Sequence, residues 1–71
     1  MTSPAQDVSS ALALARDAIA DAARLMAVNA LLAEAATRRG EGAEAFAYLR
    51  KVAAALDQAR EIVRLAGRIA A

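Results

Sequence analysis

Residues 25–36 read LMAVNALLAEAA. They lie inside a run from Ala5 to Arg39 that holds neither glycine nor proline. Leucines, a valine and a methionine stand among alanines, and alanine is the strongest helix former. One residue resists this reading. Asn29 places an amide among Met26, Val28, Leu32 and Ala33. Three roles are open to it: a ligand contact, a register-fixing interaction in a packed bundle, or a bond to water or backbone.

The ends of the run define an element. Ser3-Pro4-Ala5-Gln6 has the pattern of a capping box with proline at the first helical position. Asp7 adds negative charge where the helix dipole favours it. Arg38-Arg39-Gly40 closes the run with cations at the negative end and a glycine for a left-handed cap. These signals predict a helix over about residues 4–39, roughly 50 Å long at 1.5 Å per residue. Gly40-Glu41-Gly42 is the only interior turn signal. A turn at 40–42 is short enough to make its flanking helices antiparallel neighbours. The second helix is expected over about residues 43–70, with Gly67 weakening its last turn. The chain, residues 1–71, is therefore read as all-α: one antiparallel two-helix hairpin, with no repeat and no linker.

At about 100° per residue the apolar positions sort into seams. On the first helix, Val8, Leu12, Ala15, Ile19, Ala22 and Met26 continue into Asn29, Ala33 and Ala36. A second seam holds Ala11, Leu14, Ala18, Asp21, Leu25, Val28, Leu32 and Ala35. On the second helix the main seam is expected along Leu49, Val52, Leu56, Ala59, Val63, Ala66 and Ala70. Beside it runs a seven-residue row of Tyr48, Ala55, Ile62 and Ile69. Two seams per helix make an apolar arc wider than a two-stranded coiled coil needs. A lone hairpin covers one side of each helix and leaves the second seam wet. Val28 and Leu31 carry apolar character further round. Alanine seams permit close helix spacing or, if the helices stay apart, a hollow core.

Composition narrows the function classes. Seventy-one residues form one small domain, marginal by itself. Such chains lean on disulfides, a metal or a partner chain. This one has no cysteine and no histidine, and about a third of its residues are alanine. No cofactor or metal is expected. Net charge is +1, which gives little reason to expect nucleic acid or an acidic membrane as partner. Arg16, Asp17, Asp21 and Arg24 interrupt the apolar run from Leu12 to Ala33, against a transmembrane reading. The opening MTSPAQDVSS lacks the basic start of a signal peptide. The expectation is a soluble, cytoplasmic protein.

Few residues could carry chemistry. Tyr48 falls near the level of Ala33, one turn from Asn29, so its hydroxyl reaches either toward that amide or into solvent. Asp21 and Arg24 suit an intrahelical pair at the rim. Arg50, Arg60, Arg64 and Arg68 share a face, but Asp57 and Glu61 interrupt it and no aromatic lies between them for base stacking. A solvated mixed-charge face is expected, with Glu61 on Arg64. Phe46 lies off the main seam near the turn, placed to cap the hairpin end or to touch a neighbouring chain. Phosphate loops, metal-ligand clusters and nucleophilic triads are absent, so no catalytic residue is assigned.

SPAQD at the start, RRGEG at the turn, and two uninterrupted Ala/Leu/Arg helices resemble de novo designed helical hairpins. Lys51 as the only lysine, and Ser9, Ser10 and Thr37 inside the first helix, depart from design habit. An Arg- and Ala-rich natural protein has a similar composition. The resemblance implies a structural module that self-assembles into a symmetric four-helix or larger bundle, a dimer first. The expected interface and specificity residues are Asn29, Leu14, Leu25, Val28, Leu32, Tyr48, Ile62 and Ile69. The alternatives are a small apolar ligand in an alanine-lined cavity, contacted by Asn29 and Tyr48, or an adaptor that accepts another protein's helix.

Overall fold

The computed structural model describes residues 4–70. Two helices account for nearly all of them: α1, Pro4–Arg38, and α2, Gly42–Ala70. They pack against each other as an antiparallel hairpin. Ser3, the expected N-cap, lies outside the described residues.

The turn is built from backbone geometry. Gly40 has φ of 75°, a left-handed conformation that glycine adopts without a Cβ penalty. The Glu41 N–H then donates to the Ala36 carbonyl at 2.9 Å, and the Gly40 N–H to Thr37 at 3.0 Å. This crossed pair satisfies carbonyls left open at the end of α1. The Glu41 carbonyl accepts the Ala45 N–H at 3.0 Å, which starts α2 at once. Gly40 thus ends one helix, and Glu41 serves as the entry residue of the next.

The line of contact on α1 follows the first seam. Ala22, Asn29, Ala33 and Ala36 are buried on it, with Val8, Ala15, Ile19 and Met26 half-buried, while Leu12, expected on the same seam, is exposed. On α2 the contact line keeps Val52, Ala59 and Ala66 of the expected main seam but not Leu49, Leu56, Val63 or Ala70. It runs Ala45, Tyr48, Val52, Ala55, Ala59, Ile62 and Ala66, with Ala45 and Ala55 buried. Leu49, Leu56 and Val63, placed centrally by the sequence reading, are 51%, 41% and 58% exposed. The cause is spacing. Ala22, Ala33 and Ala36 let α2 come close only if it also presents small residues. On α2 it is Ala45, Ala55, Ala59 and Ala66 that permit the close approach, with Tyr48, Val52 and Ile62 packed between them. Tyr48, Ala55 and Ile62, expected in the outer row, move to the inside as a result.

The core is consequently thin. Its buried hydrophobic residues are Ala22, Ala33, Ala36, Ala45 and Ala55, and no large side chain is fully buried among the described residues. The molecule is a rod of 57 × 15 × 13 Å with a radius of gyration of 16.5 Å. A compact domain of this length has a radius of about 11 Å. No helix of the described residues is long and apolar enough to cross a membrane.

Candidate functional site

Asn29 is 9% exposed and sits on the hairpin's inner line. Its Nδ2 donates to the Leu25 carbonyl, one turn back, at 2.8 Å. That carbonyl is also the helical acceptor of the Asn29 backbone N–H. The amide is therefore satisfied by its own helix, and no buried side-chain polar atom lacks a partner among the described residues. Asn29 opens on a groove of about 250 Å³ lined also by Leu25, Lys51, Ala54, Ala55 and Gln58. Any register it imposes acts first on the pairing of α1 with α2.

Tyr48 does not reach Asn29. Its hydroxyl donates to Glu44 Oε1 at 3.3 Å, and its ring lies under the Lys51 ammonium, 5.4 Å from the centroid. It belongs to a polar cluster at the closed end of the hairpin. There the Arg39 guanidinium meets Glu41 through two bonds of 3.1 and 3.2 Å and Glu44 at 3.9 Å. The bond from Arg39 holds the Glu41 carboxyl below the usual range. Glu44, hydrogen-bonded to Glu41 and beside its charge, is pushed up. Sequence reading missed this cluster. Its signal was present: once Glu41 is the entry residue of α2, Glu44 and Tyr48 follow at spacings of three and four, on one face.

Four further ion pairs form between near neighbours in sequence and stay exposed. Asp21 meets Arg24, Glu61 meets Arg64, Glu34 meets Arg38, and Asp17 meets Arg16 at 3.3 Å. The first two pairs are the ones expected from spacing. Of the arginine row on α2, Arg64 is thus engaged and Arg50 lies over the Phe46 ring at 5.3 Å. Phe46 itself is 60% exposed. Among the described residues no three acidic, histidine or cysteine side chains gather as a metal would require.

Among the described residues twelve large hydrophobic side chains are exposed, and most of them fall on two opposite flanks of the hairpin, while Val28, Leu31 and Phe46 point further outward. One flank carries a groove of about 500 Å³ lined by Leu12, Ala15, Ile19, Val63, Ala66 and Ala70, with Arg16 and Gly67 at its edge. At 100° per residue Leu49 and Leu56 lie on the same side of α2 as Val63. The opposite flank carries the Asn29 groove and, by the same count, Leu14, Leu32, Leu65 and Ile69. Val28 lies further round α1, 54% exposed. The expected interface set is thereby divided. Leu14, Leu25, Val28, Leu32 and Ile69 are exposed, whereas Tyr48 and Ile62 are half-buried and Asn29 is buried between the helices. Tyr48 lines neither groove, so the pairing of Asn29 with Tyr48 around one ligand is not assembled. Comparison with family models, curated proteins and solved structures finds no match.

Proposed function

We propose that the chain is a structural self-assembly module, of the kind designed helical hairpins form, whose role is to associate with copies of itself into a helical bundle. One observation carries this reading: a core of alanines beside twelve exposed large hydrophobic residues. The accessible surface is 5216 Å². A compact monomer of 7.3 kDa exposes about 4,200 Å². The excess, roughly 1,000 Å², is more than the ~800 Å² each partner buries in a standard interface. The apolar part of an interface of that size contributes ~25 cal/mol per Å² beyond what the alanine core supplies. The role needs no catalytic group and no cofactor.

The wider groove supports a second reading, since about 500 Å³ is the size of a small-molecule site. It is the weaker one. Asn29 opens on the other groove, and Tyr48 on neither, so few polar groups are placed to orient a ligand. Light scattering coupled to size exclusion, over a micromolar concentration series, tests the main reading. The expected mass is a multiple of 7.3 kDa. A monomer throughout the series refutes it. Saturable, stoichiometric uptake of an apolar dye by such a monomer favours the second.

A further inference from the structure

The two apolar flanks are not equivalent as docking surfaces. The narrower groove is lined by Lys51 and Gln58 as well as Asn29. A copy seated there must strip water from the Lys51 ammonium and the Gln58 amide, both exposed. The wider groove has one charge, Arg16, at its edge. Along α2 this flank presents Leu49, Leu56 and Val63, spaced by seven residues, which is the repeat of a helix seam. Along α1 it presents Ala23, Ala27 and Ala30 between Arg16 and Glu34. Those two charges are 18 residues apart, five full turns, and so lie on one line along the helix.

These positions share a centre. Ile19 lines a groove with Val63, and Leu25 and Asn29 line one with Ala55 and Lys51. Leu56 therefore stands level with about residue 25 of α1, midway between Arg16 and Glu34. A two-fold axis at that level, lying in the interface and across the helices, does three things at once. It sets Leu56 on its own symmetry copy. It sets Leu49 of the second copy beside Val63, where it enters the wider groove. It also sets Arg16 opposite Glu34 of the second copy, twice, while the two α1 helices meet on their alanines.

Resting on the self-assembly reading, we infer that a second copy of this chain docks antiparallel on the wide-groove flank, about a two-fold axis at Leu56. The flank that carries Leu25 faces away from this contact. The surface excess derived above matches one such contact per chain.

The chain has no cysteine, so single-cysteine variants report the contact cleanly. Leu56 and Leu25 are 41% and 52% exposed, and neither is needed to close the hairpin. Leu56→Cys, treated with a mild oxidant or a short bismaleimide, is expected to form covalent dimer at least tenfold faster than Leu25→Cys, and denaturant is expected to abolish the difference. Arg16→Glu is expected to weaken association about tenfold, and adding Glu34→Arg to restore it. Equal rates, or faster linkage through Leu25→Cys, from a protein that light scattering shows to be oligomeric overturn this face and leave self-assembly standing. A monomer by light scattering, with neither variant linked, overturns both.

Discussion

Replacing Asn29 by leucine separates two accounts of a buried amide, and the structure gives the size of the effect. The side chain is 9% exposed, and its one hydrogen bond, 2.8 Å to the Leu25 carbonyl, duplicates a bond that the backbone already makes. Removing it leaves no acceptor unsatisfied, so the loss is near the low end of the usual 0.5–1.5 kcal/mol. Burying a leucine gains about 1.5–3 kcal/mol when complete. The longer side chain has room, because Asn29 opens on a groove of about 250 Å³. A few tenths more come from helix propensity. The balance is a gain of about 1 kcal/mol or somewhat more. For a chain of this size that raises the melting temperature by roughly 4–8 °C per kcal/mol. The assay is a circular-dichroism melt at one fixed protein concentration, with the mass measured alongside. The mass is expected to stay that of the parent, since the substituted position faces α2 and not the wide-groove flank. A variant that melts lower than the parent refutes the reasoning. It would mean that the amide holds a partner beyond its own helix.

Other perturbations have signs set by the same geometry. Gly40→Ala is expected to destabilise the hairpin by about 1–2 kcal/mol in chemical denaturation, because φ is 75° there. Gly67→Ala is expected to stabilise by up to about 1 kcal/mol, since nothing lies within 4 Å of the added methyl group. In a carboxyl-detected NMR titration Glu41 is expected to titrate below Glu44, and Arg39→Ala to move Glu41 upward. The linkage signs are opposite. Glu41, depressed in the fold, contributes stability that is lost as pH falls through its folded value. Glu44, raised in the fold, contributes stability that is lost as pH rises through its folded value. Glu44 titrating below Glu41 would show that the cluster at the turn does not form.

Much of the fold was legible in the sequence because its signals are local. The glycine-free run, Pro4 and Gly40 mark where α1 lies, and a three-residue turn leaves its neighbour little choice but to return antiparallel. The seam on α1 was legible too, since Ala22, Asn29, Ala33 and Ala36 follow one line at helical spacing. The seam on α2 was legible at Val52, Ala59 and Ala66 and misjudged at Leu49, Leu56 and Val63, for a physical reason. Hydrophobicity ranks Leu49, Leu56 and Val63 above Ala55 and Ala59, but in a pair of helices the closest approach selects for size. That choice depends on what the other helix presents, and no single segment encodes it. Tyr48 shows the same limit. Its partner, Glu44, is set by where α2 begins, and that residue depends on the backbone bonds of the turn. The second apolar seam of α1, read as left wet by a lone hairpin, is exposed at Leu14, Leu25, Val28 and Leu32 and half-buried at Ala18.

On the proposed function, one hairpin is an incomplete unit. Sedimentation equilibrium over a micromolar series tests it most directly, because it returns mass without reference to shape, and a rod of 57 × 15 × 13 Å would mislead methods that assume a sphere. A single species of twice 7.3 kDa that gives way to monomer only on dilution is expected. A species of 7.3 kDa that persists to the highest concentration, with the helices intact, would contradict it.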